Sequence, residues 1–158
     1  MANTASLCTS FLSELMTGTH NFGVSPIRAA TTADTFKGAL YLASATINAS
    51  TTAYSATGEV TGTNYTAGGV TVTNATPPAS TNTSATAGTA YWTPSASLTY
   101  TNVTLSTAFD SVLIYNSTQS NKAVGVYTFG SQTITAGTFT LTMPSNTTST
   151  ALVRLATT

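Results

Sequence analysis

The stretch FDSVLIYNSTQSNKAVGVYTFGSQTITAGTFTLTMP, Phe109 to Pro144, decides the fold. It reads as strand FDSVLIYN, turn STQSN, strand KAVGVYTFG and strand SQTITAGTFTLTMP, and ALVRLA at 151–156 supplies a fourth strand. Strands that follow one another every ~10 to 15 residues with turn residues between them form a β-meander. Val112, Leu113, Ile114 and Tyr115 run on without alternation, the pattern of a strand buried on both faces.

Working back from that core, AYWTPSASLTYTNVTLS (90–106) presents Trp92, Leu98, Tyr100, Val103 and Leu105. The parity break between Tyr100 and Val103 predicts a bulge or a strand end. TPPASTNTSATAG (76–88) holds Pro77, Pro78 and small polar residues and reads as an exposed loop. GEVTGTNYTAGGVTVTN (58–74) reads as two short strands about a Gly-rich turn, with Val70 and Val72 inward and Thr71 and Thr73 outward. In DTFKGALYL (34–42), Phe36, Leu40 and Leu42 share one parity. The expected fold is therefore mainly β: a two-sheet antiparallel sandwich, jelly-roll-like or immunoglobulin-like, with one N-terminal helix.

That helix comes from Leu7, Phe11 and Leu15, which recur every fourth residue with Leu12 and Met16 beside them. Asn3 or Thr4 is placed to cap its start and Gly18 its end. A short helix rich in Ser and Thr is marginal alone, so its apolar face needs a surface. Leu7, Phe11 and Leu15 are accordingly the candidate partner contact, with capping of the domain's own core as the competing role. The organisation read from the sequence is helix and connector over 1–33 and β domain over 34–158.

Polarity here comes from hydroxyls. Thr and Ser make up about a third of the 158 residues, whereas four basic and four acidic side chains leave the net charge at zero. A hydroxylated, weakly charged surface lacks the repulsion that keeps monomers apart, so permanent partners, including further copies of the chain, are expected. Arg28, Lys37, Lys122 and Arg154 are scattered singly, which argues against nucleic acid and anionic membrane as partners. Nowhere do ~18 apolar residues run together, and no Sec-type leader pattern opens the chain. The seven Asn-x-Ser/Thr sequons are what so Asn-, Thr- and Ser-rich a composition generates by chance.

Catalytic residues are scarce. One His (His20), one Cys (Cys8) and four carboxylates (Glu14, Asp34, Glu59, Asp110) provide no triad spacing, no zinc set and no calcium loop. YTAGGV lacks the Lys and helix of a phosphate loop. No catalytic, cofactor-binding or metal residue is assigned, and the chain is read as non-enzymatic. Tyr54, Tyr65, Tyr91, Trp92 and Tyr100 suit core packing first and a sugar-stacking platform second.

The phrases MANTASLCTSF, DTFKGALYL, STTAYSATGEVTGTNYTAGGVTVTN and VLIYNSTQSNKAVGVYTFGSQTITAGTFTLTMP resemble small structural proteins from the virion gene blocks of tailed bacteriophages. The resemblance spans Met1 to about Ala156 and implies a particle component without an active site, assembled in the bacterial cytoplasm. Its expected partners are the major capsid protein, as for a decoration or cement protein, and further copies of itself. The alternative it leaves open is a tail or fibre part with a receptor- or carbohydrate-binding role.

Overall fold

The computed structural model describes residues 3–16, 18–22, 33–81 and 88–156, apart from the side chains of residues 9, 12, 13 and 16. The expectations for Leu12 and Met16, for most of the connector and for the middle of the Pro77 loop lie outside the described residues. The fold is mainly β. Its elements are β1 (Ser6–Leu7), α1 (Thr9–Met16), β2 (Phe36–Leu42), β3 (Val70–Thr71), β4 (Ala79–Ser80), β5 (Thr89–Trp92), β6 (Leu98–Asn116), β7 (Lys122–Leu141) and β8 (Val153–Ala156). They form a five-stranded antiparallel sheet, β1-β7-β6-β2-β3, and a three-stranded one, β4-β5-β8.

The chain divides into two compact units: Met1–His20, Asp34–Val72 and Leu98–Thr140 form the first, and Asn21–Ala33, Thr73–Ser97 and Leu141–Thr158 the second. Both expected segments, 1–33 and 34–158, contribute to each unit. The five-stranded sheet belongs to the first and the three-stranded sheet to the second.

In the first unit β2 and β6 carry the core. Directly opposed residues of an antiparallel pair share a face, so Phe36 with Asn116, Gly38 with Ile114 and Leu40 with Val112 lie on one side. Lys37 with Tyr115, Ala39 with Leu113 and Tyr41 with Ser111 lie on the other. Residues from Ser111 to Asn116 are all buried, which explains the apolar run in the sequence. Leu98 and Tyr100, at the start of β6, close over Gly38, where a Cβ would meet Leu98 Cδ1 at 2.6 Å, and Tyr100 Oη donates to Gly38 O at 2.8 Å. On the opposite side Tyr54 stacks on Tyr115 with ring centroids 4.8 Å apart.

The strands are longer than the turn signals imply. Asn102 takes a left-handed φ of 52° without ending β6, so the parity break marks an irregularity inside a 19-residue strand. Likewise Gly130-Ser131 does not divide KAVGVYTFG from SQTITAGTFTLTMP. Ala136, at φ 47°, turns its N–H to Thr104 Oγ1 at 3.0 Å, so the kink is satisfied by a side chain and the 20-residue strand continues.

At the N-terminus α1 ends as the sequence implies. Gly18 is left-handed (φ 68°), and the N–H groups of Gly18 and Thr19 bond Leu15 O and Glu14 O. Its start differs: Ser6–Leu7 pairs with Gly125–Val126 as β1, and α1 begins only at Thr9. Asn3 is not the cap. Its Nδ2 reaches Asp110 Oδ1 and Ser111 Oγ, each at 2.7 Å, and its Oδ1 accepts from Ile47 N at 3.1 Å, tying the arm to the sheet. In the second unit Phe22 packs on Trp92 at 4.6 Å, and Trp92 Nε1 donates to Asn74 Oδ1 at 2.7 Å.

Candidate functional site

The scarce titratable groups gather in two places in the first unit. In one, Lys122 Nζ meets Glu14 Oε1 at 2.6 Å and Glu14 Oε2 meets His20 Nε2 at 2.8 Å. His20 Nδ1 lies 3.1 Å from Asn116 Nδ2, which also donates to Asp34 Oδ2 at 2.8 Å. Asn116 Oδ1 accepts from Thr118 N and Gln119 N, so this fully buried amide also sets the β6–β7 turn. The His20 ring sits edge-on to Phe11 at 4.9 Å and is stacked with Phe36 at 6.3 Å.

The protons of this chain follow from its donors. Asn116 Nδ2 only donates, so His20 Nδ1 accepts, and Nε2 carries the hydrogen given to Glu14. Burial holds the imidazole pKa below its ordinary value of 6.5 despite the neighbouring carboxylates, so His20 is neutral at pH 7. Burial also pushes Glu14 upward, but the hydrogen bonds from Lys122 and His20 outweigh it and leave its carboxyl below the usual 4.5. With both ring nitrogens engaged, no lone pair of His20 is open to take a proton from a substrate. Cys8 is no nucleophile either, because burial pushes its thiol up to about 11.

This network predicts acid lability. Both groups have folded pKa values below their unfolded ones, so their contribution is present at neutral pH and is lost as pH falls. Loss begins near 6.5, where the unfolded His20 takes up a proton, and continues as Glu14 titrates below 4.5. A proton on Nδ1 would also face the Asn116 donor. The melting temperature is expected to fall between pH 7 and pH 5, and His20→Gln to flatten that part of the profile. An unchanged slope in His20→Gln would assign the effect to another group.

The second cluster is centred on Glu59, buried at 6% exposure. Its Oε1 accepts from Tyr65 Oη and Gly68 N, each at 2.7 Å, and its Oε2 accepts from Tyr54 Oη at 2.6 Å. Tyr65 Oη in turn accepts from Leu40 N at 3.0 Å, and Tyr115 Oη donates to Gly68 O at 2.9 Å. Burial, reinforced by the Glu59 charge, raises the phenol pKa values of Tyr54 and Tyr65 and takes Tyr115 to about 12, so all three remain donors. Gly69 must be glycine: at φ 72° a Cβ would lie 1.7 Å from Gly38 O.

Phe11 is fully enclosed in the first unit, so among Leu7, Phe11 and Leu15 only the half-buried Leu7 and Leu15 keep surface for a partner. Tyr54 and Tyr65 are tied to Glu59, while Tyr100 and Trp92 are each 2% exposed, so these four rings serve packing. Sequence reading missed the convergence of Glu14, His20, Asp34 and Lys122. No spacing rule links them, since strand pairing and the turn at 117–121 bring them together.

Two surface features remain. In the second unit a cavity of about 340 Å³ is lined by Thr93, Pro94, Ser95, Ser97, Met143 and Asn146, among others, with no charged group. In the first unit β7 is flanked by β6 on one side and by the two-residue β1 on the other. Among the described residues no cluster of three or more His, Cys, Asp or Glu could hold a metal, and no helix is long and apolar enough to cross a membrane. No family model matches the chain, and neither a curated protein nor a solved structure matches it.

Proposed function

We propose that the chain is a non-enzymatic structural component of a tailed-phage virion, a decoration or cement protein on the capsid shell. One observation carries the non-enzymatic part: all four carboxylates of the sequence and its single histidine are held in internal hydrogen bonds of the first unit. The carboxylates and the histidine serve the fold, and the exposed positions of β7 carry only uncharged residues, threonine among them. The particle context rests on the resemblance of the sequence phrases to virion proteins. Within it, the major capsid protein is the partner, and many weak contacts act together through multivalency.

Copy number tests the reading. Quantitative mass spectrometry of purified particles is expected to find hundreds of copies per particle. A few dozen or fewer would favour the tail or fibre reading, for which the neutral, hydroxyl-lined cavity of the second unit is the supporting feature as a glycan site. Absence from particles sinks both.

A further inference from the structure

We infer that the cavity of the second unit binds a neutral sugar, seated against Asn146. Its lining comes from two short segments of that unit, 93–97 and 143–146, with Thr76 beside them, and it holds about 340 Å³. That volume lies at the lower end of the range for small-molecule sites, roughly 300 to 1,000 Å³.

Asn146 carries the inference. Its Oδ1 is shielded from bulk water yet accepts no hydrogen bond from any described residue, a state that costs free energy unless a further donor meets it. The segment around it is tied down: Thr147 N and Thr150 Oγ1 both donate to Ser145 O, Ala151 N donates to Thr147 O, and Leu152 N donates to Thr93 Oγ1 at 2.9 Å. The backbone is therefore fixed while the amide is left over. With no protein hydrogen bond at its oxygen to give up, the amide can turn about its broad χ2 torsion and present that oxygen to a ligand.

The rest of the lining selects the class of ligand. Thr93 Oγ1 and Ser97 Oγ accept from Leu152 N and Met143 N, so each hydroxyl keeps its own hydrogen to donate. Hydroxyl donors beside a carbonyl acceptor suit a polyol, whose every oxygen both gives and takes a hydrogen bond. Pro94, Met143 and Pro144 offer apolar surface to the C–H faces of a sugar ring. Among the described residues no charged side chain lines the cavity, so an ion is not compensated there, and no aromatic one does, so a flat ring has nothing to stack on. An extended peptide is held along a strand edge or a long groove, which two short segments do not form. The two prolines also stiffen the walls, so little freedom is lost on binding.

The inference does not depend on where a particle carries the chain. Copy number decides between head and tail, whereas sugar binding is measured on the purified full-length chain, so either result can fail without the other. Amide resonances titrated separately with glucose, galactose, mannose and N-acetylglucosamine are expected to shift at 93–97 and 143–147, and to saturate at millimolar concentration with at least one of them. Asn146→Ala should weaken that binding by about 10-fold or more, the loss of one hydrogen bond. It should leave the thermal transition of the free chain within a few degrees of the wild type, because the oxygen it removes bonds nothing in the protein. Ala96→Trp, at an exposed position on the lining, should abolish binding by filling the cavity. Three results overturn the inference: none of the four sugars shifts these amides at decimolar concentration, binding is unchanged in either variant, or Asn146→Ala lowers the thermal transition as the loss of a structural amide would.

Discussion

Glu59→Ala is expected to lower the unfolding free energy by roughly 3 to 5 kcal/mol, because one side chain serves three donors in a buried setting. Removing the carboxylate strands the hydroxyls of Tyr54 and Tyr65 and the N–H of Gly68. A buried donor left unmet costs about 1 to 3 kcal/mol. Tyr54 is half-buried and recovers part of its loss in water, whereas Gly68 is buried and cannot. The cost then spreads along the chain, since Tyr65 Oη holds Leu40 N on β2 and Tyr115 Oη holds Gly68 O.

Glu59→Gln separates shape from charge. Its amide oxygen can replace Oε1 for Tyr65 and Gly68, and its NH₂ can replace Oε2 if the Tyr54 hydroxyl rotates to accept. What it loses is the charge-assisted strength of the bonds, so a smaller cost of roughly 1 to 2 kcal/mol is expected. Urea midpoints of the two variants with an unchanged slope check this. Equal losses in Gln and Ala would mean that the negative charge, and not hydrogen-bond completeness, holds residues 54–68 in place.

Phe11→Ala is expected to cost roughly 3 to 5 kcal/mol, the range for emptying a buried aromatic position. Phe11 is 0% exposed and packs on His20, so its loss opens a cavity against the ring that links Glu14 to Asn116. Deleting residues 1–18 removes more: the β1 pairing, the buried Cys8, the Glu14 bridge to Lys122 and the Asn3 contacts with Asp110 and Ser111. Against a typical total of 5 to ~15 kcal/mol, the truncated chain is expected to unfold or aggregate before any partner is offered. Calorimetry of the purified truncated chain checks this. A thermal transition within a few degrees of the full-length value would favour partner contact over core capping as the role of Leu7, Phe11 and Leu15.

Lys122 and Glu14 sit far apart in the sequence and show why the candidate sites were only partly legible. Strand type was legible because burial alternates with a period of two: at the start of β6, Leu98 and Tyr100 lie inside while Thr99 and Thr101 lie outside. The run Val112–Tyr115 announced its burial on both faces, since no other environment accepts four successive large side chains on a strand. The helix stop at Gly18 was legible for a similarly local reason, its left-handed conformation.

By itself, then, the sequence determined the β class, the two-sided burial of Val112–Tyr115 in β6 and the neutral, hydroxylated character of the surface, because each depends on the residue's own chemistry or on its near neighbours. Only the tertiary structure decided strand length and the company each charge keeps. Gly130-Ser131 looks like a break, yet the Phe109, Phe129 and Phe139 packing carries β7 through it, and the Thr104 acceptor holds the left-handed Ala136 within the same strand. His20 looks like a solitary polar residue in a connector, yet it joins Glu14 on the helix to Asn116 at the end of β6, across 96 residues of chain in the latter contact. Such contacts follow from long-range strand pairing, in which the free energy is gained only after distant segments have met, and no local pattern encodes their identity.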